Sequence, residues 1–125
     1  TVESVLAHVE RAVADPMIEV SRSTQSFSRD ASPMASKESA GYKLIAKTIG
    51  DIYGSILVSP GMTVGGTDSK HYQAIADETY RFTPMTLPPV DARGFHGTNE
   101  RIRVANMDDM VRFYIQLMKN ADAER

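Results

Sequence analysis

The sequence contains no cysteine. That absence excludes a disulfide framework, a thiolate metal site and a thiol nucleophile, and leaves the redox compartment open. No uninterrupted apolar run exceeds three residues, so the chain offers neither a membrane-crossing helix nor the core of a signal peptide. An excess of charge is missing too. Fourteen basic residues face sixteen acidic ones, a formal net charge of −2, which argues against a nucleic-acid partner or a polybasic membrane surface. Histidine is scarce, with three copies, too few to close a metal site unaided. The sequence begins at Thr1 rather than Met and a helical pattern starts at once, so a fragment is expected. At 125 residues, 42% of them hydrophobic, the chain is long enough to bury a core without staples.

Periodicity divides the chain. Val2, Val5, Leu6, Val9 and Val13 recur at helical spacing, with Thr1 as N-cap and Asp15-Pro16 as the stop. Met17 to Ser23 alternates around Ile18 and Val20 as a half-buried strand would. Thr24 to Ser36 is Ser-rich and aperiodic and reads as a linker. A strong helix follows through Leu44, Ile45, Thr48, Ile49, Ile52 and Tyr53, ended by Gly54. A short buried strand is expected at Ser55–Ser59, a helix at Lys70–Glu78 and a strand at Tyr80–Thr83, before a Pro-rich loop. Asn106 should cap the last helix, with Met107, Met110, Val111, Tyr114, Leu117 and Met118 as its buried face. Alternating helices and strands imply an α/β fold.

Two loops carry residues suited to chemistry. The first is Gly65-Gly66-Thr67-Asp68-Ser69-Lys70-His71-Tyr72. Its glycines allow close backbone approach by a ligand, Thr67 and Ser69 offer hydroxyls, and Lys70 adds a cation for a carboxylate or phosphate. It lacks the spacing of a nucleotide-binding P-loop. The simpler reading of the same residues is a plain turn capped by Thr67 or Asp68. The second loop is Phe95-His96-Gly97-Thr98-Asn99-Glu100-Arg101. Here His96 can present a ring nitrogen to a metal or substrate, with Asn99 or Glu100 as its supporting acceptor; an exposed histidine beside a solvated Glu-Arg pair is the alternative. His71 follows Asp68 by three residues, which can orient its ring, whereas His8 flanks the apolar stripe of the first helix. The Asp108-Asp109 pair reads as helix-start charge, and the methionines of the last helix as packing.

Taken together, Gly65-Gly66-Thr67-Asp68-Ser69-Lys70-His71-Tyr72, then Tyr80-Arg81-Phe82 with Pro84, then His96-Gly97-Thr98-Asn99-Glu100 resemble the carboxypeptidases and aminoacylases with two co-catalytic zinc ions. The branch is that of carboxypeptidase S, also called Gly-Xaa carboxypeptidase. Order and spacing agree over about 40 residues. The resemblance implies hydrolysis of the amide bond beside a free C-terminal amino acid, by water activated between two zinc ions, on a peptide or N-acyl amino acid substrate. It implies that His96 ligates one metal, that Asn99 and Glu100 support its loop, and that Gly66, Thr67, Asp68, Ser69, Lys70 and His71 line the substrate pocket. Lys70 stands where many relatives carry Arg, so its carboxylate clamp is less bidentate.

The same resemblance assigns residues 1–23 to a helix–strand remnant of an α+β lid and dimerisation domain, 24–36 to a linker, and 37–125 to the C-terminal part of an α/β catalytic domain. A homodimer through the lid is then possible. The family's other metal ligands and its general-base Glu belong to a missing N-terminal half with a His-x-Asp motif and a Glu-Glu pair. No catalytic residue is therefore expected within this chain, and the fragment should be inactive alone. The rival reading is a non-catalytic α/β binding module whose Gly-Gly-Thr loop holds an anionic ligand or a partner peptide. The sequence says nothing of localisation.

Overall fold

Four helices and one 3-10 turn make up the regular structure of a computed structural model that describes residues 1–25 and 28–123. In chain order these are α1 (Val2–Val13), α2 (Ala40–Tyr53), the 3-10 turn Asp68–His71, α3 (Pro89–Ala92) and α4 (Val104–Ala123). The described chain divides into two units, Thr1–Met34 and residues 35–125.

In the first unit, α1 forms as its spacing predicts. The Thr1 hydroxyl accepts the Ser4 N–H at 3.1 Å and the Ser4 hydroxyl oxygen accepts in return from the Thr1 nitrogen at 3.0 Å, which satisfies donors a helix start otherwise leaves open. Asp30 adds a carboxylate oxygen 2.7 Å from the Val2 N–H, a favourable charge at the positive end of the helix. At the other end Ala14 turns left-handed, φ 48°, and its N–H closes on the Glu10 carbonyl. Asp15 then accepts the Met17 N–H at 2.9 Å, a side-chain turn that redirects the chain.

The second unit is built on α2 against α4. Ser39 caps α2 through the Tyr42 N–H, and Gly54 ends it at φ 77°, a conformation that only glycine adopts freely. Phe113 of α4 is fully buried and meets the Phe82 ring at 5.2 Å between centroids. Burying one such ring contributes about 1.5–3 kcal/mol. Ile49, Thr48 and Pro84 are buried with it. Between the helices lies a polar knot. Asn120 donates to Thr48 Oγ1 at 3.0 Å and to Asp51 at 2.9 Å, while its own oxygen accepts from Lys47 and Gln116, both at 3.0 Å.

The α/β expectation is overturned. Among the described residues there is no strand and no sheet, neither in a catalytic-domain portion nor in a lid remnant. Met17–Ser23, Ser55–Ser59 and Tyr80–Thr83 are irregular or extended backbone with no ladder. The reason is physical: alternation biases a segment toward extended backbone, but a strand exists only when a neighbour accepts its N–H groups. Leu57, expected buried, is 94% exposed.

The helix expected at Lys70–Glu78 is also replaced, by the 3-10 turn and a further turn closed by the Ile75 and Ala76 amides on the Tyr72 carbonyl. Tyr72 and Ile75 are exposed, and a short helix without a packed face does not sustain itself. The last helix starts at Val104, not after Asn106. Asn106 is buried instead, bonding the Thr86 N–H and carbonyl at 3.0 Å each. The buried positions of α4 are Asn106, Phe113 and Asn120 with Met110 and Leu117 half-buried, while Met107, Val111, Tyr114 and Met118 face outward.

Candidate functional site

The Gly65–Tyr72 loop carries its own internal scaffold. A Cβ on Gly65 or Gly66 would meet nothing within 4 Å, so the backbone there stands open to close approach. Thr67 caps the 3-10 turn with its hydroxyl on the Ser69 N–H at 3.3 Å, and the Thr67 and Ser69 hydroxyls lie 2.7 Å apart. Arg81, from the extended stretch beyond, donates its Nε–H to both oxygens, at 3.2 Å to Thr67 and 3.1 Å to Ser69, and its Nη1 to the Thr63 carbonyl at 3.4 Å. Gly66, Thr67, Asp68 and His71 are exposed, Ser69 and Lys70 half-buried. Of the two capping residues weighed from the sequence, Thr67 does the capping.

His96 lies in a run of tight turns. The Gly94 N–H bonds the Asp91 carbonyl at 3.0 Å, Phe95 that of Ala92 at 3.3 Å, and Gly97 that of Gly94 at 2.9 Å. A Cβ on Gly94 would lie 3.3 Å from the Asp91 carbonyl oxygen and 3.5 Å from that of Asn99, so the loop folds tightly around a residue with no side chain. His96 and Asn99 both take left-handed backbone, φ 56° and 62°. For a residue other than glycine that conformation is uncommon and costs free energy, although His and Asn tolerate it better than most. The imidazole is exposed and sits edge-on to Phe95 at 5.9 Å. Among the described residues no hydrogen bond joins it to Asn99 or Glu100.

What closes this loop is a buried carboxylate. Asp91, in α3, is 7% exposed, and its two oxygens accept from Arg101 Nε at 3.0 Å and Arg103 Nε at 2.8 Å. The hydrogen bond from Arg103, then that from Arg101, holds the Asp91 carboxyl below the usual carboxylate range. Arg101 ends the histidine loop and Arg103 lies just beyond it, so the pair ties the far end of the loop back to α3. Asp91, Arg101, Arg103 and Arg81 escape sequence reading. Their partners lie ten to eighteen residues away, and no local pattern reports such a contact. The only available signal was Arg81 inside the Tyr80-Arg81-Phe82 string.

Zinc in proteins takes three or four side-chain ligands. Among the described residues there is no group of three or more His, Cys, Asp or Glu that could hold a metal ion. His96 is a single donor, and this chain alone does not fit such a centre. Nor is any described helix long and apolar enough to cross a membrane.

Comparison with known proteins adds the context that geometry lacks. The chain is 40% identical over 124 residues to an N-fatty-acyl-amino acid synthase/hydrolase of Danio rerio, covering 98% of this chain and 24% of the relative. To the protein of the same name from Xenopus tropicalis it is 38% identical, covering 99% and 24%. To the probable carboxypeptidase S-like 2 of Dictyostelium discoideum it is 29% identical, covering 94% and 22%. The chain thus spans about a quarter of the length of these curated relatives. No solved structure matches it. The sequence profile of peptidase family M20/M25/M40 matches residues 6–120, nearly the whole chain and both candidate loops, and the chain belongs to that family.

Proposed function

We propose that this chain is part of a longer metal-dependent hydrolase that cleaves the amide bond between an acyl group and a free amino acid. The family match over residues 6–120 carries this reading. The two relatives of highest identity quoted above are named for N-fatty-acyl amino acids, which favours an N-acyl amino acid over a peptide as substrate. In this reading His96 supplies one ligand to a zinc site whose other ligands and general base come from outside the chain. The left-handed backbone at His96 supports it, because such strain is retained where a side chain must point in one direction. Gly66, Thr67, Asp68, Ser69, Lys70 and His71 face the substrate, with the Lys70 ammonium drawn to the free carboxylate. Asn99 and Glu100 act on the His96 loop through the backbone, since neither bonds the ring. Alone, the chain turns over nothing.

The test uses the longer protein with an N-acyl amino acid and the same compound with its carboxylate blocked as a methylamide. Hydrolysis should require the free carboxylate. Lys70→Ala should raise KM about tenfold and leave kcat within about twofold, as expected when binding rather than chemistry is lost. Equal cleavage of the blocked compound would refute the carboxylate reading.

A further inference from the structure

The stretch from residue 55 to 67 has no regular secondary structure. Gly61, Gly65 and Gly66 have open space where a side chain would be, and Met62 and Val64 are 91% and 101% exposed. Packing therefore does not hold this loop, and ordering a glycine-containing run of this kind costs much backbone entropy. Hydrogen bonds from elsewhere must fix its shape. Arg81 supplies them at three positions, Thr63, Thr67 and Ser69, across eighteen, fourteen and twelve residues of chain.

We propose that Arg81 is the positioning residue of the substrate loop, acting through the Thr67 and Ser69 hydroxyls and the Thr63 carbonyl rather than by touching substrate. The proposal rests on the reading above that this loop faces substrate. A guanidinium suits the task because its donors are fixed in one plane, so Nε and Nη1 meet two hydroxyls and a carbonyl together. A lysine ammonium at the same place is one point on a flexible stem and cannot span all three. With both hydroxyl oxygens accepting from a cation, one hydroxyl donates to the other across 2.7 Å. The second keeps its proton to offer to an anionic group.

The experiment is a mutant cycle in the longer protein, read by backbone hydrogen exchange over residues 65–72 and by kinetics on an N-acyl amino acid. Arg81→Ala should speed exchange across the loop about tenfold and raise KM about tenfold, with kcat changed by less than about twofold. Arg81→Lys should give the same result, because charge without the fork does not restore the bonds; it also carries the test should the alanine variant fail to fold. In a Thr67→Val, Ser69→Ala background the bond to the Thr63 carbonyl remains, so Arg81→Ala should still raise KM, but only about two- to threefold, well short of its tenfold effect in the unmodified loop. Unchanged exchange in both Arg81 variants would overturn the proposal, and so would a full further tenfold rise in KM in the hydroxyl-free background. Faster exchange with unchanged KM would instead overturn the assignment of the loop to substrate, and the functional half of the proposal with it.

Discussion

Asn120 shows how one polar side chain sets the register of two helices. Its amide spends both donors and its acceptor on Thr48, Asp51, Lys47 and Gln116, so sliding α4 along α2 would strand groups on both helices. Asn120→Ala should destabilise the chain by about 1–3 kcal/mol, read as a lower urea midpoint with an unchanged slope. Two carboxylates link this residue scale to pH. Lys47, then Asn120, hold Asp51 below its ordinary range by hydrogen bonding, as Arg103 and Arg101 hold Asp91. A carboxyl whose folded pKa is depressed contributes stability that is complete above the unfolded value, near pH 4, and is lost as pH falls through the folded one. Stability should therefore be level from pH 7 to about 5 and drop below about pH 4. Asp51→Asn and Asp91→Asn should each flatten that acid limb in urea titrations; a limb unchanged in both would contradict the ion-pair account.

At the scale of elements, the two glycines of α2 make opposite predictions. Gly50 has open space around a built Cβ, so Gly50→Ala should stabilise by about 0.5–1 kcal/mol through helix propensity alone. At Gly41 the same methyl would lie 2.9 Å from the Tyr80 ring, whose hydroxyl is tied to the Ser36 carbonyl at 2.9 Å and to the Ser39 hydroxyl. That ring cannot swing away freely, so Gly41→Ala should destabilise by about 1–3 kcal/mol; thermal melts of the pair check the sign. Which elements the sequence betrays follows the same logic of local against distant cause. The bounds of α1 and the end of α2 are written in adjacent residues, Thr1, Asp15-Pro16 and Gly54, and so could be read, although the left-handed Ala14 that closes α1 could not. On α4 the apolar stripe pointed to the wrong face, because the residues turned inward include Asn106 and Asn120, whose burial depends on Thr86 and on α2. The strands failed for a similar reason: a ladder needs a neighbour that alternation cannot name. The His96 and Thr67 loops could be singled out as candidates from their motifs, whereas Arg81 and Asp91, which bond to those loops or beside them, could not.

Taken as a whole, the molecule leaves much apolar surface uncovered. Met107, Val111 and Met118 along α4 and Leu57, Met62 and Val64 in the loop are exposed; such area on an isolated chain favours dye binding and association. The 125-residue chain should bind an apolar dye such as ANS at neutral pH and self-associate with rising concentration. Sedimentation velocity over a range of concentrations reads this directly, and a strict monomer without dye binding would contradict it. We propose that this segment brings one metal-ligating histidine to a larger hydrolase. That contribution is tested most directly by measuring metal content and turnover together in the longer protein carrying His96→Ala. His96→Ala should lose bound zinc, lower kcat roughly a hundredfold or more, and leave the melting profile of the metal-free protein unchanged. A variant that keeps its full metal complement and normal turnover would contradict it.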